Sequence, residues 1–93
     1  MITWDENKRK QVIKDHGVDF AKLADAFSDP LAIIEQDVQH SLNEERWLMI
    51  AKSAEYGLTV VVYTFREDDV RLVTARRAEK WMTGLYERQR NRS

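Results

Sequence analysis

Two short stretches of the chain concentrate side chains that can do chemistry. The first, RLVTARRAEKW at residues 71 to 81, sets Arg71, Arg76 and Arg77 around the joint between a strand-like run and a helix-like one. Guanidinium groups stay charged at any relevant pH, and their planar fork donates paired hydrogen bonds to phosphate oxygens. Side chains alternate faces along a strand, which gives Arg71 and Arg76 opposite parity. They converge on one ligand only if the strand ends or bulges near Ala75. Solvated or ion-paired arginines on a surface strand are the simpler reading of the same residues.

The second stretch, HSLNEERW at residues 40 to 47, holds a histidine, two carboxylates and an arginine. His40 can exchange a proton near neutral pH, and Glu44 or Glu45 can hold Arg46 or take a proton. The same residues ahead of a strand are also ordinary surface chemistry. His16 stands at a predicted helix end, where an imidazolium suits the helix dipole, and Tyr86 lies on the apolar side of the last predicted helix. Other chemistries find little support. His16 and His40 are far apart and cysteine is absent, so no metal site is expected. The three glycines, at 17, 57 and 84, are isolated and form no phosphate loop. Ser41 and Ser53 lack the context of a nucleophilic serine, and no cofactor is expected.

The elements that must position these residues can be read from periodicity. Ile2 to Trp4 favours a short strand, and Asp5 stands where it can cap a helix running to His16, closed by Gly17. Asp19 can cap a second helix in which Phe20, Leu23, Ala24 and Phe27 recur at three and four residues, stopped by Ser28, Asp29 and Pro30. Strands follow at Leu31 to Val38 and Arg46 to Lys52, then a turn at Glu55 to Gly57. The β-branched run Leu58 to Phe65 reads as a central strand covered on both faces. A turn at Arg66 to Asp69 precedes a last strand, Val70 to Ala75. A closing helix begins at about Ala78 and carries Trp81, Met82, Leu85 and Tyr86, with a frayed end from Arg90 to Ser93. The order β-α-α-β-β-β-β-α predicts an α+β domain: an antiparallel sheet with two N-terminal helices and a C-terminal helix packed on it.

Ninety-three residues make one domain, 1–93, and 43% hydrophobic with 33% charged residues suits a folded chain. The absence of cysteine and of a long apolar run fits a cytoplasmic protein with no membrane contact. The net charge of −1 hides an asymmetry. Residues 71–92 carry seven bases against two acids, a net of +5, while residues 1–70 carry eight against fourteen, a net of −6. Such a distribution suits a local anion-binding surface, and equally a solvated basic tail.

Taken in order, WD at 4 and 5, HGVDF at 16 to 20, FSDP at 27 to 30, Asp37 and His40, EERW at 44 to 47, VVYT at 61 to 64, RLVTARRA at 71 to 78 and Tyr86 resemble the BrnT toxins. These belong to the broader RelE-like group of type II toxin–antitoxin systems. The resemblance implies a small RelE-like domain and an endoribonuclease that cleaves mRNA without a metal. In such a reaction the RNA 2′-OH attacks the adjacent phosphate and basic side chains stabilise the growing charge. It implies a catalytic set of Arg76, Arg71, Arg46, His40, His16 and Tyr86, with Arg77, Lys14 and Lys80 as further RNA contacts. It also implies neutralisation by a BrnA-like antitoxin in a hetero-oligomer, with a homodimer as another possible assembly. The chain departs from the family pattern at Val12, where an asparagine is usual, and at Asp15, where a lysine precedes the histidine. Lys14 is displaced by one residue, about 100° around the helix. The alternative function is therefore a weakened or inactive RelE-like binding module that pairs with an antitoxin or other protein.

Overall fold

The computed structural model describes residues 1–91, so Arg92 and Ser93 of the expected frayed end lie outside the described residues. The chain folds as β1 (Ile2–Thr3), α1 (Glu6–His16), two 3₁₀ turns (Phe20–Lys22 and Ala24–Ser28), β2 (Ile33–Gln36), a third 3₁₀ turn (Val38–His40), β3 (Arg46–Ser53), β4 (Gly57–Arg66), β5 (Asp69–Arg77) and α2 (Lys80–Asn91). The strands form one five-stranded sheet in the order β1-β5-β4-β3-β2. The α+β class agrees with expectation. The sheet is mixed rather than antiparallel, because β1 adds parallel to the free edge of β5, with Val70 N–H donating to the Met1 carbonyl at 2.9 Å.

α1 forms between the caps the sequence supplies. The Asp5 carboxylate accepts from Asn7 N–H at 2.8 Å, and Gly17 closes the helix at φ 67°, donating its N–H to the Ile13 carbonyl. The expected second helix is instead a pair of 3₁₀ turns. The residues it buries are Phe20, Leu23 and Ala26, spaced by three, and its backbone bonds run from residue i to i−3. Residues three apart eclipse in a 3₁₀ turn, so this spacing presents one ridge to the sheet without a full α-helix.

Each face of the sheet has its own core. On one, Met49, Ala51, Val61, Tyr63, Leu72 and Ala75 pack with Val12 of α1 and with Val18, Phe20, Leu23 and Ala26. On the other, Ile50 and Val60 pack with Met82 and Tyr86 of α2, joined by Leu31, Ile33, Leu48 and Leu58. β4 is thus covered on both faces, as its β-branched run predicts.

The last strand is longer than expected and irregular. Val62 pairs with Thr74 but Tyr63 pairs with Leu72, which leaves Val73 as an extra residue on β5. The bulge turns both Leu72 and Ala75 toward the first core although they stand three apart. α2 begins only at Lys80, because Ala78 N–H is still bound to the Leu58 carbonyl of β4 at 3.0 Å. It runs through Arg90 and Asn91, where fraying was expected.

Candidate active site

Strand register decides which basic residues meet. Arg46 of β3 pairs with Thr64 of β4, and Thr64 pairs with Arg71 of β5. Directly paired residues share a face, so the two arginines flank Thr64 on the face that carries α2, with backbones about 10 Å apart. Thr64 is held in place by its hydroxyl, which donates to the Glu45 carbonyl at 2.6 Å. Two adjoining hollows open beside this row. One of about 500 Å³ is lined by Gln39, His40, Leu42, Asn43, Glu44, Arg46 and Arg66. The other, about 250 Å³, is lined by Asp5, Lys8, Glu44, Arg46, Thr64, Arg66 and Arg71 among others, four bases against two acids. Glu44, Arg46 and Arg66 belong to both.

The electrostatics of this cleft are unbalanced. Glu44, a candidate partner for Arg46, pairs with Arg66 at 3.8 Å instead. The side chains of Arg46 and Arg71 form no hydrogen bond or ion pair with any described residue. Among the described residues, Arg46 Nε is the one buried side-chain nitrogen or oxygen without a hydrogen-bond partner. An unpaired buried donor costs free energy, and such groups concentrate where a ligand supplies the missing acceptor.

His40 lines the larger hollow and is aimed by a carboxylate. Its Nδ1 lies 3.1 Å from both Oδ1 and Oδ2 of Asp37. A carboxylate at that distance accepts the Nδ1 proton, which leaves Nε2 as the free ring nitrogen.

The remaining candidates stand elsewhere. The bulge puts Arg76, which pairs with Val60, on the same face as Arg71, although it falls at Val73 rather than near Ala75. Four residues of β4 separate the two pairs, about 13 Å, and Arg76 Nη1 donates to Glu79 at 3.2 Å. Arg76 therefore does not line the cleft. Arg77 stacks its guanidinium 5.4 Å from the centre of the Tyr56 ring. His16 and Lys14 are exposed in the last turn of α1, and Lys80 is exposed at the start of α2. Tyr86 is buried in the second core and its hydroxyl donates to Asp29 Oδ2 at 2.8 Å.

Asp29 explains the FSDP stretch. Besides Tyr86 it accepts from the backbone N–H groups of Leu31 and Lys52, each at 2.9 Å, tying α2 to the chain entering β2 and to the end of β3. Burial raises its pKa, but the Lys52 and Leu31 N–H groups and the Tyr86 hydroxyl outweigh burial and leave it below the ordinary carboxylate value. The Tyr86 phenol is pushed up to about 12, by burial first and by Asp29 second. These residues build and hold the fold.

Lys8 and Arg66 are the basic cleft residues that sequence reasoning passed over. Arg66 was expected in a turn; it is the last residue of β4, and alternation from Val60, Val62 and Thr64 puts it on the arginine face. Lys8 carried no signal beyond its place on the polar side of α1.

Comparison with known proteins decides the family. The sequence model of a family described as the ribonuclease toxin BrnT of type II toxin–antitoxin systems matches residues 4–81. The chain belongs to the BrnT family. The crystal structure of the Brucella abortus ribonuclease toxin BrnT, at 1.1 Å resolution, matches with 25% sequence identity and a TM-score of 0.68. The match covers 85% of this chain and 96% of that one. No curated protein matches the sequence. Every residue named in the lining of the cleft, from Asp5 to Arg71, falls inside the BrnT span, whereas Tyr86 falls beyond it. No helix among the described residues is long and apolar enough to cross a membrane.

Proposed function

We propose that this chain is the toxin of a type II pair and an endoribonuclease that cleaves mRNA in the Arg46–Arg71 cleft, until a BrnA-like antitoxin protein neutralises it. The observation that carries this reading is the pair of unpartnered guanidinium groups flanking Thr64, with the buried Nε of Arg46 open to an acceptor.

The phosphate of one RNA linkage sits between Arg46 and Arg71. His40 Nε2 takes the proton of the neighbouring 2′-OH, whose oxygen attacks phosphorus. The bond from phosphorus to the 5′ oxygen breaks, that oxygen takes a proton from water, and the products are a 2′,3′-cyclic phosphate and a 5′-hydroxyl end. Charge gathers on the non-bridging oxygens as the new bond forms, and the two guanidiniums are already in place to receive it. Because cations of the chain supply that stabilisation, cleavage proceeds in the presence of a chelator. Arg76, on the same face, serves a flanking phosphate.

The two departures from the family pattern fall outside this cleft. Val12, 2% exposed, packs in the first core, and Asp15 accepts a hydrogen bond from Gln11 on the outside of α1. Both are consistent with retained activity.

Purified protein incubated with mRNA and a chelator tests the proposal. The intact chain should yield fragments with cyclic-phosphate ends, and Arg46→Ala and Arg71→Ala should each slow cleavage by about 100-fold or more. No cleavage by the intact chain, with tight binding of an antitoxin, would identify a binding module instead.

A further inference from the structure

The Asp37–His40 contact is anchored to the start of β3. Asp37 and Arg46 are joined across the loop between them. Asp37 N–H donates to the Arg46 carbonyl at 2.8 Å, the Ser41 hydroxyl donates to the Asp37 carbonyl, and Arg46 N–H donates back to Ser41 Oγ at 3.0 Å. The residue that aims the imidazole is therefore hydrogen-bonded to the residue that begins β3 and carries the cleft's buried, unpartnered Nε. The side chain of Asp37 is 18% exposed while that of His40 is 62% exposed, so the carboxylate is the fixed member and the ring the presented one.

We propose that Asp37 is a positioning residue for cleavage: it holds His40 in the tautomer protonated at Nδ1, so that Nε2 faces the cleft as the proton acceptor. The proposal rests on the ribonuclease reading above. A neutral imidazole offers only one acceptor nitrogen, and the hydrogen bond made by the other nitrogen selects which. With Nδ1–H committed to Asp37, Nε2 accepts the 2′-OH proton and the resulting imidazolium keeps its carboxylate neighbour, which offsets the new positive charge. Ser41 supports the arrangement through its hydroxyl, which links the Asp37 carbonyl to the Arg46 N–H and so keeps base and guanidinium in register.

Two measurements on the full chain test this together. Long-range ¹H–¹⁵N NMR in alkaline buffer should show His40 of the intact protein protonated at Nδ1, and Asp37→Ala should move the proton to Nε2 while the remaining spectrum stays folded. Single-turnover cleavage of an RNA oligonucleotide should slow at least about tenfold in Asp37→Ala with RNA affinity unchanged, and about 100-fold or more in His40→Ala. Adding Asp37→Ala to His40→Ala should cost nothing further, since a positioning residue acts through its partner. An Nε2-protonated His40 in the intact chain, or equal and additive losses in the double variant, overturns the proposal. If the intact chain cleaves no RNA, the ribonuclease reading falls and the base role with it. If it cleaves and Asp37→Ala is unaffected, only the role of Asp37 falls.

Discussion

The two ends of β5 carry arginines in opposite circumstances. At one end Arg71 faces Arg46 across Thr64 and neither forms an ion pair with a described residue, although Asp5 and Glu44 line the same hollow. At the other, Arg76 is ion-paired to Glu79, which also accepts from Trp81 Nε1 at 2.8 Å, and Arg77 lies over Tyr56. A basic count along the strand treats these residues alike. The difference between them is that the first pair has no partner among the described side chains, whereas Arg76 donates to Glu79 and Arg77 lies over an aromatic ring. A second contrast runs along the same face of the sheet. Where α2 covers it, Ile50 and Val60 are sealed by Met82 and Tyr86; where α2 does not reach, polar and cationic side chains line an open cleft.

The contrasts predict separable effects. Arg46→Ala should reduce RNA cleavage by about 100-fold or more while leaving the urea midpoint of unfolding unchanged or raised, since it removes a buried donor with no partner. Asp29→Ala should do the reverse. It strands the Tyr86 hydroxyl and two backbone N–H groups, and should lower stability by about 2 kcal/mol, a fall in Tm on the order of 10 °C, with per-molecule cleavage retained well below that temperature.

Acid should also act on the scaffold. Asp19 receives Arg9 Nε at 2.7 Å and Nη2 at 2.9 Å, and the guanidinium is the main cause that holds its pKa at about 2 against an ordinary 3.8. A carboxyl whose folded pKa is depressed contributes its stability above the unfolded value and loses it as pH falls through the folded one. Stability should therefore decline between pH 3.8 and about 2, and the decline should be shallower in Asp19→Asn, as acid titration followed by circular dichroism would show. The smallest effect belongs to Arg77→Ala. It removes the stacking on Tyr56, and should cost on the order of 0.5 kcal/mol in stability by urea unfolding, with cleavage unchanged.

Local signals were legible where local chemistry decides. Asp5 and Gly17 bound α1 because a carboxylate and a left-handed glycine each satisfy backbone groups one turn away. β4 follows from its β-branched run, and β3 and β4 both end within a residue of expectation. The stretch after Asp19 misled because an apolar spacing of three and four fits an α-helix until burial shows that Ala26, not Ala24, faces the core. The parallel pairing of β1 joins residues nearly 70 positions apart and leaves no periodic trace. The bulge at Val73, which brings both Leu72 and Ala75 to the first core, is a matter of strand pairing that residue alternation does not carry. For that reason strand alternation alone placed Arg71 and Arg76 on opposite faces. The family resemblance points to Arg46 and Arg71, but their adjacency through Thr64 is a property of register. Tyr86 is a polar group on an apolar helix face, and its partner Asp29 lies 57 residues away.

The most direct test sets the two ends of β5 against each other in one experiment. Single-turnover cleavage of the same labelled RNA by Arg71→Ala and Arg76→Ala, at equal protein concentration and salt, should show a loss of about 100-fold or more for the first and only a few-fold for the second. Equal losses, or a larger loss for Arg76→Ala, would contradict the assignment of the reacting phosphate to the Arg46–Arg71 cleft.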